Sequence, residues 1–187
     1  NALGTGKISA LEAADVAALV SAQWRGFSTA QLGQFNTAQV NVIGSGAIVG
    51  LSTEQVDALS TTQLAALSSV NIRGLSSTQL GAIATAKIGS LETADVLVLS
   101  SGQVLGLGVG QLQQLSSVQL SALSSVAIRG LSTGQLNALG TGKISALEMA
   151  DVAALVSAQW RGFSTAQLAQ FNTAQVNVIG SGAIVGL

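Results

Sequence analysis

The chain has 187 residues, seven basic and eight acidic, for a formal net charge of −1, and contains no Cys, His, Pro or Tyr. Only 8% of its residues are charged, against about 25% in an ordinary soluble domain. The missing Cys excludes disulfides, iron–sulfur clusters and a thiol nucleophile; the missing His excludes an imidazole base and the usual zinc and copper sites. Seven scattered basic residues make no phosphate-tracking surface for nucleic acid, and 48% apolar content argues against intrinsic disorder.

From Leu3 onward the sequence divides into octads, 23 of them over residues 3–186, without insertion or deletion. With positions labelled a to h, a is always large and apolar (Leu3, Leu11, Leu19, Phe27, Phe35) and so is f (Ile8, Val16, Trp24, Leu32, Val40), giving 47 matches in 47 places. Position c is Ser or Thr in 20 of 23 octads, and e is mostly Gln. Eight residues span about 2.2 helical turns, so a continuous helix would let its apolar stripe drift around the cylinder. From f to the next a is three residues, a helical spacing. The pattern therefore predicts one short helix per octad, then a corner. Ser at b with Gln at e, as in Ser52/Gln55, Ser60/Gln63, Ser76/Gln79 and Ser132/Gln135, has the spacing of a capping box, and Ser or Thr at c offers a second cap. Helices of five or six residues are unstable alone and persist only if a and f are buried against other octads. The expected fold is an all-α solenoid of structurally equivalent octads related by one screw operation. The alternative is a β-solenoid with two octads per coil.

In chain order, Lys7 and Asp15 are the first charged e positions, and Lys87/Asp95 and Lys143/Asp151 repeat them one octad apart. If adjacent octads are neighbours, these should form weak inter-unit ion pairs. Glu12/Asp15, Glu54/Asp57, Glu92/Asp95 and Glu148/Asp151 are carboxylates three residues apart. A glycosidase pair or a calcium site is the sharp reading and a solvated, capped helix face the favoured one. Trp24, Phe27 and Phe35, repeated as Trp160, Phe163 and Phe171, occupy f, a and a and read as core, not as a sugar-stacking patch. Each Arg precedes a Gly (Arg25, Arg73, Arg129, Arg161), which fits a helix end stopped by Gly beside a cation. The strings from Gly44 to Gly50 and from Gly140 to Ile144 lack the spacing of nucleotide-binding loops and read as corners. The Ser/Thr row at c is a hydroxyl ladder that could face ice or a polysaccharide; helix capping accounts for the same residues and is favoured. Residues 96–128 carry no charge, yet recurrent polar residues leave no run apolar enough for a spanning helix.

Residues 1–51 match residues 137–187 at 49 of 51 positions, and a weaker echo at an offset of seven octads relates Arg73 to Arg129 and Lys87 to Lys143. Residues 1–187 read as a single tandem-repeat array, expected to be an excerpt of a longer chain, natural or engineered. Runs such as Leu51-Ser-Thr-Glu-Gln-Val-Asp-Ala-Leu-Ser-Thr-Thr-Gln-Leu-Ala-Ala66 resemble the octapeptide arrays of very large secreted or surface-attached bacterial proteins, including adhesin-like exoproteins. That resemblance covers essentially all 23 octads. It implies a non-enzymatic stalk, spacer or scaffold outside the cell, with a repetitive surface for a glycan, ice or protein partner as the alternative. Neither cofactor nor metal nor catalytic residue is expected. Apolar cross-sections near Leu3 and Leu187 should lack capping units, which predicts self-association through the solenoid ends.

Overall fold

A computed structural model describes residues 4–184. Among the described residues there is one 3-10 turn, Thr5–Ala10, and then twenty-two short α-helices, from Ala13–Ala17 to Ser181–Ile184. Each helix runs from c to f, g or h of its octad, as in Thr53–Asp57, Thr61–Ala65 and Ser77–Ala82. Positions a and b form the corner in extended backbone: Leu75 has φ −72° and ψ 134°, Ser76 φ −71° and ψ 161°. No strand occurs among the described residues, so the β-solenoid is not adopted. The physical reason lies in each junction. Position f and the next a, three apart, must turn to one interior, and the b and e side chains complete a helix N-terminus.

Helices three octads apart pack on one another along the whole chain: Ser45–Ile48 on Ser69–Gly74, Thr53–Asp57 on Ser77–Ala82, Ser101–Leu105 on Ser125–Ile128. Side-chain hydrogen bonds join residues 25 to 31 positions apart. The chain thus returns beside itself after between three and four octads, and the seven-octad echo spans two such passes. The result is an all-α solenoid whose coils are built from equivalent units.

The interior is a continuous column of a and f side chains. Every f residue from Ile8 to Trp160 is 0–1% exposed. Burying each such side chain contributes about 1.5–3 kcal/mol, which holds together helices too short to survive alone. Trp24, Phe27 and Phe35 meet in the column with ring centroids 5.0–5.5 Å apart, and Trp160, Phe163 and Phe171 repeat the cluster at 5.2–5.5 Å. Five of these rings are buried core and Phe171 packs against it partly buried, as the sequence implied.

The two faces of a coil differ. Ile8 and Val16, at f in the first coil, are fully covered by later coils, whereas Lys7, Asp15 and Gln23, at e, are exposed. Toward the other end Val176 and Ile184, at f, are 50% and 55% exposed. Side chains at e therefore reach back to the preceding coil, and those at f are closed over by the next. Leu3 and Leu187, where open cross-sections were expected, lie outside the described residues.

Candidate functional site: the repeated glutamine bridge

The recurring polar feature of the solenoid is a buried amide at e. A helix of five residues has almost no internal hydrogen bonds, so its terminal N–H and C=O groups need outside partners. At the N-terminus the capping box supplies them. Ser60 Oγ accepts the Gln63 N–H at 3.1 Å, and Gln63 Oε1 accepts the Ser60 N–H at 3.0 Å. The same pair forms at Ser28/Gln31, Ser52/Gln55, Ser76/Gln79 and Ser132/Gln135, and Asn36 and Asn172 take the place of Ser. At Val20, Gly108 and Val156 no cap side chain can accept, and the Gln half alone remains.

The amide nitrogen does a second job that the sequence reading missed. Gln63 Nε2 donates to the carbonyls of Leu32 and Phe35, both at 2.8 Å. Gln103 reaches Ile72 and Leu75 at 2.7 Å each, and Gln159 reaches Ile128 and Leu131 at 3.0 and 2.9 Å. In each case the targets are an f carbonyl and the a carbonyl that follows it, at the C-terminus of a helix in the preceding coil. The f carbonyl also accepts a local bond, as Ile72 does from the Leu75 N–H. The a carbonyl sits in the extended corner with no backbone donor, so the Gln amide is its partner. One side chain caps the start of its own helix and the end of another. Asn71 performs both tasks with a shorter arm, accepting from the Ser68 N–H at 2.7 Å and donating to the Ile43 carbonyl.

Lysine at e keeps only the donor half. Lys143 Nζ donates to the carbonyls of Leu112 and Gln113 at 3.2 and 2.5 Å, and burial lowers its pKa. Lys87 donates to the Asp57 carbonyl, and its ammonium lies 3.7 Å from the Asp57 carboxylate. The expected pairs Lys7/Asp15, Lys87/Asp95 and Lys143/Asp151 do not form, because e positions of adjacent octads face different parts of the preceding coil. Of the carboxylate pairs, Glu12, Glu92 and Glu148 occupy the N-cap position. Glu54 is exposed, and hydrogen bonds, to backbone first and then to Ser52 and Thr53, lower its pKa. Asp95 and Asp151 are not solvated, as a capped surface face would have them, but 2% and 3% exposed; the preceding coil covers position e.

Two further expectations change. The hydroxyls that cap helices stand at b; c is the first helical residue, and Thr29, Thr37, Thr61, Thr93, Thr133 and Thr165 are exposed at the surface. The Gly residues after Arg are not left-handed helix stops, since no described residue has positive φ. Close approach is what requires Gly where coils touch. A Cβ on Gly50 would lie 2.3 Å from the Ser21 carbonyl oxygen, and one on Gly130 2.3 Å from that of Ser101. Arg25 Nε donates forward to the Gly50 carbonyl at 3.3 Å. Gly44 and Gly140 are ordinary helix N-caps, and neither string makes a nucleotide cradle.

The surface carries open grooves between coils. One of about 720 Å³ runs past Asn41, Ala66, Ser69 and Glu92. Among the described residues no group of three or more His, Cys, Asp or Glu is placed to hold a metal ion, and no helix is long and apolar enough to cross a membrane.

The ALTTAQ repeat family matches residues 8–44, 41–69, 61–93, 117–149 and 144–181. The chain belongs to the ALTTAQ repeat family. In ALTTAQ lettering the final Gln is position e, as in Ala58-Leu59-Ser60-Thr61-Thr62-Gln63, so the residue that closes the motif is the one that bridges coils. No curated protein matches this ALTTAQ chain.

Proposed function

We propose that this ALTTAQ array is a non-enzymatic structural module, a stalk, spacer or scaffold within a large bacterial surface or secreted protein. The observation that carries the reading is the recurrent bridge: from Gln39 to Gln175 glutamines at e repeat bonds at separations of 28 and 31 residues. Each added octad then adds one rise and one rotation, so repeat number sets reach. Solution scattering on arrays lengthened by whole coils tests this. A maximum dimension that grows in proportion to octad number supports it; a dimension that saturates refutes it.

A binding role is the second reading. The exposed threonines at c, free of capping duty, form a repeated hydroxyl surface suited to a glycan or to ice. Retention on polysaccharide matrices or ice-growth inhibition at micromolar protein would favour this reading over the spacer. The coil faces also suit head-to-tail self-association, with Val176 and Ile184 of one copy meeting the e face of another, which would make an open-ended contact. A mass in solution that rises with concentration is the expected result, and a constant monomer mass the contrary one.

A further inference from the structure

Position e most often supplies a donor to the preceding coil; Ala47 and Ala127 supply none, and in two octads with a buried e position a carboxyl group stands there instead. Asp95 and Asp151 stand where Gln or Asn donates to the a carbonyl of the preceding coil, here that of Leu67 or Leu123. Neither of those carbonyls accepts a hydrogen bond. Asp95 Oδ1 accepts from Ser69 Oγ of that same preceding coil at 3.3 Å while its Oδ2 is buried without a partner. Asp151 Oδ2 accepts the Glu148 N–H at 3.1 Å, filling the N-terminal half of the Gln role. Asn71, the same length as Asp, shows that so short an arm reaches the carbonyl when it carries hydrogen.

We propose that Asp95 and Asp151 are proton-operated latches between coils: protonated, each carboxyl donates O–H to the stranded carbonyl of Leu67 or Leu123 and closes the bridge; ionised, it opposes that carbonyl and opens it. The proton comes from solvent and no other bond changes. The helix of Asp95, Thr93–Leu97, packs against Ser69–Gly74 and Ser117–Ser121. These elements bring one cation, Arg73, and no ion pair joins it to Asp95; Glu92 is the charged neighbour within the octad. The helix of Asp151, Met149–Ala154, packs against Ser125–Ile128 and Thr173–Asn177, which carry no charge. Arg129, at the end of the first, makes no ion pair with Asp151, and Glu148 is again the charged neighbour. Nothing nearby therefore favours the ionised form except hydrogen bonds, from the Glu92 backbone and Ser69 to Asp95 and from the Glu148 backbone to Asp151. Burial raises the pKa of Asp95, and raises that of Asp151 to about 6.

The sign follows from linkage. A carboxyl whose folded pKa lies above its unfolded value binds more protons when folded. Stability is then full below the unfolded pKa and falls as pH rises toward the folded one. With no His and no Cys in the chain, the other side chains that titrate nearby are the remaining carboxyls, ordinarily at about 4, so a loss of stability above about pH 5 reports the two buried aspartates.

The test is thermal unfolding of the whole chain across about pH 4 to about pH 8, beside the variant Asp95→Asn/Asp151→Asn, with carboxyl carbon NMR on the parent. The expected result is a melting temperature that falls by several degrees toward high pH in the parent and stays level in the Asn variant, with both aspartate resonances titrating above the ordinary carboxylate range. A parent that is equally or more stable at high pH, or an Asn variant that keeps the slope, overturns the proposal. So does a high-pH loss reversed by calcium, which would make the site a cation site.

Discussion

Replacing Gln103 with Leu removes one bridge and keeps the volume nearly constant. Four groups lose their bonds: the Ser100 N–H and hydroxyl, at 2.9 and 3.1 Å, and the carbonyls of Ile72 and Leu75, both at 2.7 Å. Ile72 keeps the Leu75 N–H at 3.2 Å, but the Leu75 carbonyl is left with nothing. A bond of this kind contributes about 0.5–1.5 kcal/mol net, and a stranded buried group costs about 1–3 kcal/mol. Together these give a loss of about 3 kcal/mol after allowance for the added apolar burial. In a chain of this size that lowers the melting temperature by about 6–12 °C. Gln113→Leu is the control: its side chain is exposed and makes one bond, to the Ala138 carbonyl at 3.0 Å, so the loss should stay within about 0.5 kcal/mol. Urea unfolding of both variants measures the difference, and hydrogen exchange at the Ser100 amide should rise only in the first. Equal costs for Gln103 and Gln113 would refute the claim that the e amide joins coils.

Gly130→Ala should destabilise by more than about 2 kcal/mol, because its Cβ would meet backbone of Ser101 that cannot yield. Gly134→Ala, in open space within Thr133–Ala138, should instead stabilise by up to about 1 kcal/mol through helix propensity; paired melting curves separate the two. Trp24 and Trp160, each 1% exposed, should emit at short wavelength and resist acrylamide quenching. Emission typical of water-exposed indole would contradict their place in the column.

The octad, the helix, the corner and the b–e capping pair were legible because each depends on spacing within a single repeat. Leu51, Val56, Leu59 and Leu64 announce their burial wherever the next coil lies. What was not legible is the pitch of the coil. Adjacent octads look alike, so the sequence does not say which of them touch, and the Lys87/Asp95 pairing went to the wrong neighbour for that reason. The second role of Gln63 was hidden likewise, since its target carbonyls are backbone and leave no mark in the sequence. The seven-octad echo of Arg73 in Arg129 held the missing number, being two passes around the coil. Gly50 and Gly130 mark the same pitch, because only close backbone from the preceding coil, at Ser21 and Ser101, makes a side chain at those positions intolerable.

The central claim is that the chain meets itself after between three and four octads. A chain without Cys allows a direct measurement by engineered disulfides. A Cβ on Gly110 would lie 3.3 Å from Thr85 Cγ2 and 3.5 Å from Thr85 Oγ1, close to disulfide geometry. Thr85→Cys/Gly110→Cys should therefore oxidise readily to an intramolecular disulfide, while Thr85→Cys/Thr93→Cys, one octad apart, should stay reduced under the same conditions. A bond in the second pair and none in the first would contradict the stacked-coil account.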